Sequence, residues 1–122
     1  MKVKIAVCDD SFFDREINKM YIEDYFSGKG YDAEIITYES GNDFLASDYS
    51  DCNLVFLDMY MDGISGPETA KEIVKNNKDI KIIFCSSSPE FVDDSVEVSA
   101  LRYFIKPMSR EKFEDVMNEL FA

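Results

Sequence analysis

Asp9, Asp10, Asp58, Ser86 and Lys106 are the residues of this 122-residue chain whose types and settings could do chemistry. Each follows a short apolar run. Asp9 and Asp10 follow Val3 to Cys8 (VKIAVC), and Asp58 follows Asn53 to Leu57 (NLVFL). Ser86, with Ser87 and Ser88, follows Lys81 to Cys85 (KIIFC), and Lys106 follows Leu101 to Ile105, just ahead of Pro107. Carboxylates brought to ~4 Å repel one another by about 1 to 4 kcal/mol at effective dielectrics of roughly 80 to 20. A hard divalent cation resolves that repulsion. Mg²⁺ favours oxygen ligands, keeps several waters and is usually held by one or two carboxylates plus phosphate oxygens. The same cation neutralises charge on a phosphoryl group in flight. The Ser86 hydroxyl and the Lys106 ammonium could hold that group's remaining oxygens. The chain has no histidine, which removes His-based triads, His metal ligands and a phosphohistidine carrier role.

These residues meet only if the apolar runs are strands of one sheet. Longer helical patterns alternate with them. Phe12 to Ser27 repeats Phe13, Ile17, Met20, Tyr21 and Tyr25 at helical spacing and stops at Gly28-Lys29-Gly30. Ala33 to Tyr38 reads as a second strand and Gly41 to Ser47 as a short helix. Pro67 to Asn77 is helical with its proline in the first turn. Pro89 to Val98 and Arg110 to Phe121 complete the series. Five strands, each followed by a helix, imply an α/β fold: a parallel sheet with helices on both faces, because parallel neighbours need right-handed crossovers. The continuous apolar run NLVFL suits a central strand covered on both faces. In such a sheet the functional crevice lies beyond the carboxyl ends of the strands, where strand order reverses. Three carboxylates, a hydroxyl and an ammonium then converge on one edge.

Composition bounds the rest. The length fits one domain, expected over residues 1–122, and 46% hydrophobic residues with 10 Phe and 7 Tyr can build a core without disulfides. A net charge of −12 repels nucleic acid and anionic membrane over most of the surface. Gene control by this molecule would therefore act through another domain or a partner, without direct nucleic-acid binding here. No stretch approaches a membrane span and no signal-peptide pattern opens the chain. Cys8, Cys52 and Cys85 cannot all pair, and Cys8 and Cys85 read as small core residues. A cytoplasmic location is the expectation. Taken singly, each site residue has a plain structural reading as well. Asp9, Asp10 and Ser11 would cap the first helix, with Asp14 favouring its N-terminus. Asp58 would be a turn residue, Ser86 to Ser88 a solvated loop, and Lys106 a surface lysine.

Assembled, the residues resemble the receiver domain of two-component response regulators over essentially the full chain. Asp9-Asp10 look like the family's metal-binding pair, Asp58 like its phosphoacceptor, Ser86 like its conserved hydroxyl and Lys106 like its lysine. Tyr103 falls at the aromatic switch position, and Ser87 stands where alanine is common. The resemblance implies a doubly wound, flavodoxin-like topology of five strands and five helices in strand order 2-1-3-4-5. It implies Mg²⁺, with Mn²⁺ as a substitute, bound directly by Asp10 and Asp58, through water by Asp9, and by the backbone carbonyl of Tyr60. Lys106 would pair with Asp58 or its phosphate, and the Lys106-Pro107 bond would be cis. The expected partners are a sensor histidine kinase as phosphoryl donor and an output domain or downstream protein. The fourth helix, fifth strand and fifth helix would form the readout surface, by partner contact or phosphorylation-dependent homodimerisation. On it Phe91, Phe113 and Met117 read equally as core residues.

Departures from the family pattern sharpen this. After Asp58 the chain reads Met59-Tyr60-Met61-Asp62-Gly63-Ile64-Ser65-Gly66, with Asp62 in place of the usual proline. That loop, with Phe84-Cys85-Ser86 and Leu101 to Pro107, resembles receivers that precede LytTR-type DNA-binding domains. The implied role is a switch and not an enzyme acting on other substrates. Two alternatives differ in class. An aspartate-nucleophile phosphohydrolase needs a second acid two residues past Asp58, where Tyr60 stands. A degenerate receiver would act only as an interaction module. Flavodoxin-like FMN binding is opposed by the acidic Asp9-Asp10 where its phosphate loop would lie.

Overall fold

The computed structural model describes residues 2–61, 63–86, 102–106 and 109–121. In chain order the elements are β1 (Lys2–Cys8), α1 (Phe12–Phe26), β2 (Asp32–Tyr38), α2 (Gly41–Ala46), β3 (Leu54–Asp58), α3 (Gly66–Asn76), β4 (Lys81–Ser86), β5 (Arg102–Ile105) and a C-terminal helix (Arg110–Phe121). The helix expected over Pro89 to Val98, with Phe91, lies outside the described residues, as do Ser87, Ser88 and Pro107. Elsewhere the sequence-based bounds shift by a residue. Asp58 and Ser86 close their strands where they were expected to follow them.

Every described strand pairing is parallel, and the sheet runs β2-β1-β3-β4-β5. The β1 register against β3 sets Cys8 opposite Leu57, so Asp9 and Asp58 follow as neighbours at the carboxyl ends of these two strands. All five residues of β3 are buried. This is what a strand in the middle of a parallel sheet requires, since helices cover both faces.

Side chains alternate between two cores, following the period of two along each strand. Val3, Ile5, Val7, Leu54, Phe56, Ile83, Cys85 and Phe104 pack beneath α1 and the C-terminal helix. Ala6, Cys8, Val55, Leu57, Ile82 and Phe84 pack beneath α2 and α3 with Phe44, Ala70 and Ile73. Cys8, Cys52 and Cys85 are buried and unpaired with one another, as small core residues. Among the described residues, no helix is long and apolar enough to cross a membrane.

The apolar repeat on α1 is only partly its inward face. Tyr25 is buried, but Phe13 is 70% exposed and Met20 46%. The buried positions are instead Arg15, Asn18, Ile22, Tyr25 and Phe26. The N-terminal half of α1 borders the polar end of the sheet, where Arg15 donates from Nη1 to the Asp9 carbonyl at 2.7 Å. A buried guanidinium with a carbonyl partner satisfies that position better than a phenyl ring facing carboxylates.

Phe113 and Met117 both belong to the core. The Phe113 ring lies 5.6 to 6.4 Å from the rings of Tyr21, Tyr25, Phe56 and Phe104, joining the C-terminal helix to α1, β3 and β5. Truncating it leaves a cavity at that junction. Phe113→Ala is expected to lower unfolding stability by about 3 to 5 kcal/mol, measured by urea denaturation.

Candidate functional site

Ser11 is the N-cap of α1: its Oγ accepts from the Asp14 backbone amide at 3.3 Å. The two aspartates before it are therefore not needed as caps. The Asp9 Oδ1 accepts from the Ser11 amide at 2.9 Å, which turns the carboxylate back over the end of β1. Asp9 is 1% exposed and Asp58 8%, whereas Asp10 is open to solvent. Carboxylate oxygens of these three residues lie within 4.8 Å of one another. Such a set of hard oxygen donors, two buried and one exposed, fits a small divalent cation such as Mg²⁺.

Lys106 leaves the end of β5 and reaches across the sheet edge. Its Nζ lies 2.9 Å from Asp9 Oδ2, 2.9 Å from Asp14 Oδ2 and 3.2 Å from Asp58 Oδ1. Burial works against that ammonium, but hydrogen bonds to Asp9 and Asp14 and the Asp58 charge outweigh it and raise its pKa above the ordinary lysine value. Burial pushes the Asp58 carboxyl up to about 6, and the neighbouring Asp9 charge adds to this. Lys106 opposes the shift without cancelling it. Asp58 is thus a carboxylate whose ionised form lacks full compensation from the protein.

The loop after β3 is tied down at both ends. Gly63 has φ +86°, a left-handed conformation in which other residues are strained, and the Asn42 side-chain oxygen accepts from the Ile64 amide at 3.2 Å. Gly66 donates to the Met59 carbonyl at 3.0 Å, and a Cβ there would collide with the Asp58 carbonyl oxygen. Ser65 and Glu68 form a reciprocal capping box that starts α3 immediately behind this contact. These contacts restrain the segment on both sides of residue 62.

Of the residues singled out from sequence, Asp9, Asp10, Asp58 and Lys106 come together. Tyr60 lies two residues beyond Asp58 and is 53% exposed. Ser86 ends β4 opposite Ile105, and Tyr103 sits in β5 opposite Phe84, with only their backbone positions described. Asp14 was read as a helix-terminus charge, yet its carboxylate binds Lys106 as closely as Asp9 does. Position three of an acidic-tolerant helix start gave no signal of that contact, because Lys106 is 92 residues away.

The response regulator receiver domain model matches residues 5–118. The chain belongs to that family. Receivers are signalling switches of two-component systems, working with histidine kinases and output domains. The sensory transduction protein LytT of Oceanobacillus iheyensis is 32% identical over 98% of this chain and 48% of its own length. MalR, a transcriptional regulatory protein of Bacillus subtilis, is 26% identical over 96% of this chain and 49% of its own length. This receiver sequence therefore spans about half the length of those curated relatives. Thermotoga maritima TrrA, solved with Mg²⁺ and BeF, superposes with a TM-score of 0.77 and 31% identity, covering 98% of this chain and 99% of that one.

The raised Asp58 pKa has a definite consequence for stability. A carboxyl whose folded pKa exceeds its unfolded value of 3.8 favours the native state fully below pH 4, and that contribution is lost as pH rises through about 6. Asn cannot ionise. In metal-free buffer, Asp58→Asn is expected to stabilise the fold at pH 7.5 by about 2 kcal/mol, with the gain vanishing near pH 4. Thermal or urea unfolding of both proteins across that range checks it.

Proposed function

We propose that this chain is a phosphorylatable receiver in which Asp58 accepts a phosphoryl group from a sensor histidine kinase. The observation that carries the reading is Asp58 itself, buried at a strand end, 3.2 Å from Lys106 and grouped with Asp9 and Asp10. On this reading the receiver fills residues 1–122 as five strands and five helices. Asp10 and Asp58 hold Mg²⁺ directly, Asp9 acts through water, and the Tyr60 backbone carbonyl completes the protein ligands. Asp9 suits the indirect role because both of its oxygens are already engaged by the protein. The ion supplies charge neutralisation for the incoming phosphoryl group. Mn²⁺, likewise a cation suited to carboxylate oxygens, would substitute.

The Asp58 carboxylate attacks phosphorus in line as the bond to the donor nitrogen breaks, forming an acyl phosphate. Lys106 pairs with the new phosphoryl oxygens. Ser86 turns toward them, with Ser87 small enough to leave the approach open, and Tyr103 occupies the vacated space. Both side chains shift a pre-existing equilibrium. The surface of the fourth helix, fifth strand and fifth helix then changes its contacts with an output domain, a downstream protein or a second phosphorylated copy. A transcriptional output of the LytTR-associated kind is supported by the names that the half-matched relatives carry. A cytoplasmic setting follows from the same reading.

Incubation with acetyl phosphate and Mg²⁺ should add one phosphoryl group by intact mass, and none to Asp58→Asn or after chelation. An unlabelled wild type would leave only the interaction-module reading. On this reading Tyr60, two residues past Asp58, shades the acyl phosphate from water. Slow self-dephosphorylation is expected, and Tyr60→Ala should speed loss of the label by several-fold. Fast loss from the wild type, unchanged in Tyr60→Ala, would rule out shielding.

A further inference from the structure

Lys106 is held by a closed ring of contacts that includes a residue outside the group of three acids. The Asp9 Oδ1 accepts from the Ser11 amide, the Ser11 Oγ accepts from the Asp14 amide, and Lys106 donates to both the Asp14 Oδ2 and the Asp9 Oδ2. Each of the two lysine contacts is 2.9 Å, shorter than the 3.2 Å to Asp58. Asp14 does not belong to the cluster of Asp9, Asp10 and Asp58. Its side chain is only one-third exposed, so its charge is not fully screened by water.

An ammonium has three N–H donors and one positive charge to distribute. Here two donors are committed on the α1 side, one of them to a carboxylate with no part in holding the metal. The Nζ also lies 3.2 Å from Asp58 Oδ1, so phosphoryl oxygens on Asp58 compete with that ring for the ammonium. We propose that Asp14 is a positioning residue that holds the Lys106 ammonium back from Asp58, and so weakens the grip of this receiver on its phosphoryl group. The inference rests on the reading of Asp58 as phosphoacceptor. It makes the resting state a competition between two anions for one lysine, with the helix start as the competitor.

The test uses the whole chain with Mg²⁺ and beryllofluoride as the phosphoryl stand-in, titrated by ¹⁹F NMR. Asp14→Asn should bind beryllofluoride about fivefold more tightly than the wild type, while Asp14→Glu stays within about twofold of it. In a Lys106→Gln background, Asp14→Asn should change the affinity by less than about twofold. Equal tightening in both backgrounds would mean that Asp14 acts as a general negative field, and would overturn the proposal. So would unchanged or weaker binding in Asp14→Asn. A second measurement needs neither metal nor beryllofluoride. In urea unfolding of the metal-free protein, the two substitutions should be coupled by about threefold or more in the unfolding constant, and zero coupling refutes the ring. A wild type that binds no beryllofluoride overturns the phosphoacceptor reading as well. Binding by the wild type with no gain in Asp14→Asn overturns only the role of Asp14.

Discussion

Like charges held together at the end of a buried sheet are the constraint from which the rest of the structure follows. Asp9 and Asp58 follow paired positions of two adjacent parallel strands, so their separation is set by strand spacing and cannot relax. Asp10 stands beside them. One lysine from the far edge of the sheet supplies the compensating charge, but it divides itself among three carboxylates. The residual cost shows in the raised pKa of Asp58. A site under such strain is ready for a cation and for an anion that arrives with it.

Holding that arrangement requires a rigid base, and the two cores provide it. The strand that carries Asp58 is buried on both faces, with Phe56 against Phe113 on one side and Val55 and Leu57 among α2 and α3 residues on the other. Displacing Asp58 would mean displacing close-packed side chains in both directions. The loop that follows is restrained by different means: a left-handed glycine, an Asn42 cross-link and the approach of Gly66 to the Asp58 backbone.

Membership of the receiver family explains why a fold of this kind carries these acids at these strand ends. It leaves the output side open, because the curated LytT and MalR relatives are about twice as long as the matched region. A net charge of −12 disfavours nucleic-acid contact over most of the surface of this domain.

Alternating apolar runs and helical repeats were enough to place the strands to within a residue, since burial on both faces of a parallel sheet leaves an unbroken apolar signature in NLVFL and KIIFC. The types of the site residues were equally legible: acids after the first and third runs, a serine after the fourth, a lysine after the fifth. What a one-dimensional pattern cannot carry is how a shared charge is divided. That Lys106 binds Asp14, that Asp9 is masked by Ser11 while Asp10 stays open, and that Phe13 faces solvent while Arg15 is buried all depend on distances between segments far apart in the chain. Residue types and periodicity determined that Asp9, Asp10, Asp58 and Lys106 stand at the carboxyl ends of strands in one sheet. Only the tertiary structure decided which of them hold one another, because electrostatic and packing energies depend on separations of a few ångströms that local sequence does not encode.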